Sequence, residues 1–219
     1  MQTAACILHP AAQSADFGGS AQLGHTGRTV DPRRVSLQLL TGREHYDLLV
    51  DRRIRQAAVS LWIATANVKA LHLEAPVGTR ARARGRYVSI VELFVELADR
   101  GVEVRLLHGA PPSRPFAEAL ERRGALERRR FEMRLCPRVH LKMIAVDGTH
   151  LYLGSANLTG AGLGAKGDRR RNFEAGIATE DDLLLDRMQA HFDEIWRGAH
   201  CGTCGVRKHC ATPLDRRPR

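Results

Sequence analysis

Aromatic residues are scarce in this chain of 219 residues: six Phe, three Tyr and two Trp make up 5% of it. So few rings argue against a base-stacking platform for sequence-specific recognition of single strands. Long hydrophobic runs are missing as well. No stretch of about 18 uncharged apolar residues exists, which excludes the usual membrane-crossing helix. The segment from Met1 to Pro10 has no basic start followed by a sustained apolar run, so no secretory signal is read and a cytoplasmic protein is expected. Acidic residues are in deficit. Asp and Glu number 24 against 34 Lys and Arg, leaving a net charge of +10. That excess favours polyanionic partners, nucleic acid before an anionic lipid surface, although arginine on solvated faces accounts for part of it. No internal repeat is visible, and only one H-x-K triplet occurs; His72-Leu73-Glu74 is not a second copy.

What is present is concentrated between residues 139 and 157. Val139 to Gly148 runs apolar and polar in near-strict alternation, which predicts a strand ending in an Asp-Gly turn. A period of two puts His140 and Lys142 on one face and Val139, Leu141 and Met143 on the other. Leu151 to Gly154 reads as a second strand, so a hairpin returns Ser155 and Asn157 beside His140. Hydroxyl and amide donors with an ammonium group suit the oxygens of a phosphate. An imidazole and an ammonium held together also call for an anion between them.

The pattern H-x-K-x4-D-x6-G-S-x-N formed by His140, Lys142, Asp147, Gly154, Ser155 and Asn157 resembles the signature of the phospholipase D superfamily, single-motif endonucleases in particular. Asn172 to Ile177 is similar to the following strand of that family, and the likeness spans residues 40 to 197. The resemblance implies a covalent phosphohistidine on His140 and no catalytic metal. Lys142, Ser155 and Asn157 would hold the phosphate, and Glu174 would orient the imidazole. Members carry two such motifs across a pseudo-twofold axis, so a chain with one motif implies a homodimer. Asp147 is expected to hold the hairpin through backbone donors rather than to touch substrate. A lipid phosphodiesterase and a non-catalytic nucleic-acid-binding module are the alternatives to an endonuclease.

The expected fold is α/β: a mixed, mostly parallel sheet flanked by helices on both faces, with a small Cys-rich C-terminal tail. Three regions are expected, a loosely docked arm over 1–35, a catalytic domain over 36–198 and a metal-binding tail over 199–219. Helices are predicted over 44–58, 87–100, 115–123 and 181–196, and further strands over 59–68, 102–107 and 131–135. Ser113 is the expected N-cap of the third helix and Gly124 its stop. Asn67 and Lys69 fall at the far end of the first strand, where open α/β sheets place their chemistry.

Two further features carry chemistry. Arg80, Arg82, Arg84 and Arg86 lie within seven residues and predict a mobile loop able to track a nucleic-acid backbone; Arg122-Arg123, Arg128 to Arg130 and Arg169 to Arg171 are further candidates, the last run, with Arg171, lying between the motif and Glu174 and being favoured among them. The tail packs Cys201, Cys204 and Cys210 with His200 and His209 into eleven residues. A pair spaced Cys-x2-Cys can grip one ion, with Cys210 and either histidine completing a zinc site. The same spacing resembles the C-terminal cysteine triplet of iron–sulfur RecB-type nucleases, which implies a cluster with Cys136 or Cys6 as the fourth ligand. Zinc and iron–sulfur both stay open at this point.

Overall fold

The computed structural model describes residues 32–216. Its centre is a seven-stranded sheet. In chain order the strands are β1 (Gln38–Thr41), β2 (Ser60–Thr65), β5 (Glu103–His108), β6 (Phe131–Leu135), β7 (Met143–Val146), β8 (His150–Gly154) and β9 (Ala175–Thr179). They lie side by side as β1-β9-β8-β7-β2-β5-β6. A separate two-stranded ribbon joins β3 (His72–Glu74) to β4 (Tyr87–Ser89). The sheet is mixed, as expected, but the balance differs. Only β2–β5 and β5–β6 pair in parallel, whereas β2–β7, β7–β8, β8–β9 and β9–β1 are antiparallel. The cause lies in the connections: helices link the first strands, while a tight turn at Asp147-Gly148 folds the motif region back on itself. The α-helices among the described residues are α1 (Arg80–Ala83), α2 (Ile90–Asp99), α3 (Arg114–Arg123) and α4 (Asp182–Trp196).

Strand alternation divides the interior into two cores. Leu61 and Ile63 of β2, Val104 and Leu106 of β5 and Ile144 and Val146 of β7 join the core containing Ile90, Phe94 and Leu97 of α2. Ala64, Leu107, Met143 and Ala145 point to the opposite face and meet Leu185, Phe192 and Trp196 of α4. The α4 face carries an aromatic stack: Phe192 lies 5.3 Å from Trp62 and 5.5 Å from Trp196. The Arg105 guanidinium covers the Trp62 ring at 4.7 Å, a cation–π contact that lets a charged side chain close an apolar layer. Helices therefore pack on both faces, and each fully buried Leu, Ile or Phe contributes about 1.5–3 kcal/mol.

Several elements are shorter than their sequence pattern. The helix expected over 44–58 is broken into a π-helical turn at His45–Asp51 and a 3-10 turn at Ile54–Gln56. Tyr87–Ser89 pairs with β3 instead of opening α2, and Ser89 caps the helix by accepting from the Val91 amide at 3.2 Å. Ser113 occupies the cap position of α3, yet its hydroxyl accepts from the Ala70 amide at 3.2 Å instead of capping. Gly124 ends α3 in the left-handed region, where a side chain would be strained. The arm expected over 1–35, with Cys6, lies outside the described residues apart from 32–35. Residues 199–216 pack on the α4 face, where Leu214 joins the second core.

Candidate active site

Chain topology brings the motif to one end of the sheet. His140 to Lys142 lead into β7, Gly154 to Asn157 leave β8, and Glu174 immediately precedes β9. The regular strand begins only at Met143, so His140 and Lys142 sit in the irregular chain before it rather than within a buried strand. The Gly154 amide still donates to the Lys142 carbonyl at 3.2 Å, which keeps both halves in register. His140, Lys142, Ser155 and Asn157 together line an open cleft of about 690 Å³, with Leu141, Leu153 and Met188 supplying its apolar wall.

The side chains in this cleft are held unequally. His140 is exposed, and its ring makes no hydrogen bond among the described residues. The Lys142 ammonium donates to the His140 carbonyl at 2.7 Å. Burial pushes the Lys142 ammonium below the usual lysine range, and the negative charge of Glu174 works against that shift. Asn157 is fixed through its carbonyl: Oδ1 accepts from the Asn67 amide at 3.1 Å and from Thr65 Oγ1 at 3.3 Å. Its NH2 group is thereby left to donate outward. Thr65 Oγ1 also accepts from the Leu158 amide at 3.0 Å, so the end of β2 and the loop after β8 are built as one unit.

Glu174 departs from the expectation that it touches His140. One carboxylate oxygen accepts from Ser155 Oγ and the other from Asn172 Nδ2 at 3.0 Å. Ser155 Oγ in turn accepts from the Ala175 amide at 3.1 Å, so its hydroxyl ties β8 to the start of β9. Beneath Glu174 lie two residues that the motif pattern does not reveal. His45 and Tyr152 are fully buried and meet edge to face at 5.5 Å. Burial lowers the His45 basicity, against which the Gly42 carbonyl and Glu174 act in the opposite direction. Burial also pushes the Tyr152 phenol up to about 12, so it stays protonated at neutral pH. Gly154 and Gly176 oppose one another across β8 and β9, and a Cβ at Gly176 would lie 2.4 Å from the Tyr152 ring. The Gly before Ser155 thus makes room for a ring. His45 gave no sign of this in the sequence, since its partner lies 107 positions away.

Asp147 lies at the opposite end of β7, roughly 20 Å from His140 at strand rise, and does not line the cleft. Its carboxylate accepts from three consecutive amides, Ala58 at 3.0 Å, Val59 at 2.7 Å and Ser60 at 2.9 Å. It anchors the start of β2, not its own hairpin. The arginine segment forms a short capped helix where a loop was expected. Thr79 caps α1 by accepting from the Arg82 amide at 3.1 Å, and the Arg82 guanidinium pairs with Glu74 and donates to the Ala75 carbonyl. Arg80 and Arg84 flank it on the same short helix and its cap. Arg171 is ion-paired with Asp168 and half-buried. These pairings oppose the expectation that Arg82 and Arg171 are free to meet a phosphate chain. His200 Nε2 lies 3.7 Å from the Glu194 carboxylate, and His209 is exposed on a 3-10 turn.

With this geometry in view, residues 50–196 match the family model described as cardiolipin synthase, PLD-like domain. Among solved structures, the phospholipase D family member Nuc from Salmonella typhimurium superposes with a TM-score of 0.52 at 19% identity, covering 75% of this chain and 95% of Nuc. NucT from Helicobacter pylori gives a TM-score of 0.48 at 17% identity, covering 74% of this chain and 95% of NucT. Phosphatidylserine synthase from Haemophilus influenzae gives 0.46 at 17% identity, covering 76% of this chain and 40% of the synthase. No curated protein matches. At these identities the Nuc likeness establishes the fold. No helix among the described residues is long and apolar enough to cross a membrane.

Proposed function

This chain belongs to the phospholipase D superfamily, and we propose that it is a phosphodiesterase that cleaves nucleic acid as a homodimer through a phosphohistidine. One observation carries the reading: the unpartnered ring of His140 stands in an open cleft beside Lys142 and the outward-facing amide of Asn157. A ring nitrogen of His140 attacks phosphorus, forming a P–N bond as the P–O bond to the leaving alkoxide breaks. The same histidine of a second copy donates a proton to that alkoxide. It then takes one from water, whose oxygen displaces the imidazole and returns the first ring to its starting state. Lys142 and Asn157 neutralise and hold the non-bridging oxygens. Ser155 and Glu174 position the loop rather than the phosphate, because each satisfies the other.

Charge supports a nucleic-acid substrate. The chain carries +10 overall, and an open cleft admits a polymer in a way that an enclosed pocket does not. The apolar wall of Leu141, Leu153 and Met188 favours the lipid alternative, since acyl chains need such a surface. One assay separates them: plasmid, single-stranded DNA, RNA and phosphatidylcholine vesicles incubated with the chain and with His140→Ala. Nucleic-acid cleavage that falls about a thousandfold or more in the variant is expected. Turnover of lipid alone selects the alternative, and binding without any turnover refutes both.

A further inference from the structure

Four cysteines line one cavity where no catalytic role has been assigned. Cys136 stands 65 positions before Cys201 in the chain, yet both line one small cavity together with Cys204 and Cys210. We propose that these four thiolates hold an iron–sulfur cluster of the four-iron type, which closes the C-terminal tail onto the turn leading into the active site. This inference is independent of which phosphodiester the chain cleaves.

The backbone around the cavity is built from successive tight turns. The Cys204 amide donates to the Cys201 carbonyl at 3.3 Å, Arg207 to Cys204 at 3.0 Å and Cys210 to Arg207 at 3.2 Å. On the other wall the Cys136 amide donates to the His108 carbonyl at 2.9 Å, and Val139 closes a turn on the Cys136 carbonyl at 2.9 Å. Thr212 Oγ1 donates to the Leu135 carbonyl at 3.1 Å, tethering the tail beside Cys136. All four thiols are half-buried and none is in a disulfide. Pro137, Val206, Pro213 and Leu214 supply an apolar shell, the environment in which iron–sulfur clusters are shielded from water. Arg138 Nη1 lies 3.5 Å from Cys204 Sγ, placing a cation against the negative charge that four thiolates bring.

Geometry separates the two candidate occupants. A single zinc ion binds sulfur at about 2.3 Å, which draws four thiolates to roughly 3.8 Å from one another. Here the four thiols bound a cavity, which leaves room for iron and sulfide between them, one thiolate to each metal corner. His200 lines an adjoining cavity with Cys136, Cys201 and Cys204, outside the one bounded by all four cysteines. Neither His200 nor His209 lines the four-cysteine cavity, and His200 turns towards Glu194.

The structural consequence reaches the active site. Cys136 is four residues before His140 and belongs to the turn that sets the path of Val139. Filling the cavity pins that turn from below.

The 219-residue chain, produced with iron supplied and purified without oxygen, tests the proposal through its metal content. Iron and acid-labile sulfide in equal amounts, about four of each per chain, with visible thiolate-to-iron absorption bleached by dithionite, are expected. Cys136→Ser, Cys201→Ser, Cys204→Ser and Cys210→Ser should each lose most of the iron, whereas His200→Ala and His209→Ala should keep it. One zinc per chain without sulfide overturns the cluster, as does a protein that takes up neither metal after reconstitution with ferrous iron and sulfide. Undiminished iron in Cys136→Ser overturns the ligand set. Should the cysteine variants fail to fold, the metal content of the unaltered chain and of the two histidine variants still decides.

Discussion

Asp147 belongs to the signature motif but stands away from the chemistry, and replacing it distinguishes an anchoring role from a catalytic one. In Asp147→Ala three amides lose their acceptor. Those of Ala58 and Val59 lie at the surface and can turn to water, so each costs about 0.5–1 kcal/mol. The Ser60 amide is partly buried at the first residue of β2, where rehydration is poorer, and costs about 1–2 kcal/mol. The sum is about 3 kcal/mol, or about 6–12 °C in Tm for a domain of this size. Asp147 also has a positive φ of 55°, which Asn tolerates better than Ala. Asp147→Asn keeps a neutral Oδ1 acceptor and should lose about 1 kcal/mol. Urea unfolding measures both variants, and turnover measured well below their unfolding temperatures should stay within a fewfold of the parent chain. If Asp147→Asn retained full stability but lost activity as His140→Ala does, the anchoring role would be refuted.

His140→Ala should leave stability within about 0.5 kcal/mol in the same urea experiment, because the ring is exposed and makes no hydrogen bond. Gly176→Ala forces a Cβ against the Tyr152 ring at 2.4 Å and the phenol oxygen at 2.6 Å, so a loss of about 1–3 kcal/mol is expected, visible as a lowered Tm. Burial depresses the basicity of His45, His108 and His150 below the ordinary histidine value of 6.5. Unfolding lets each take up a proton that the folded chain refuses, so stability is present above that value and is lost as pH falls below it. The slope approaches about 1.4 kcal/mol per pH unit for each group; a flat denaturation midpoint between pH 7 and pH 5 would contradict this. Phe173 stands wholly exposed beside Glu174, and Phe173→Asp should shift the chain towards monomer in sedimentation and reduce turnover with it.

Patterning along the chain dictates the alternation that splits β2, β5 and β7 between two cores, the apolar faces of α2 and α4, and the grouping of His140, Lys142, Ser155 and Asn157. Each of these follows from a repeat of two or 3.6 residues, or from chemistry confined to a short span such as His140 to Asn157. Packing of the whole chain, by contrast, sets the contacts between residues far apart in it. Asp147 reaches residues 58–60, Glu174 is taken up by Ser155, and His45 lies under Tyr152. The antiparallel majority of the sheet also depends on which strands meet, and a strand's sequence records its faces but not its neighbours. Cys136 joins the tail cysteines for the same reason: a side chain's chemistry is written locally, whereas its company is set by the packing of the whole chain.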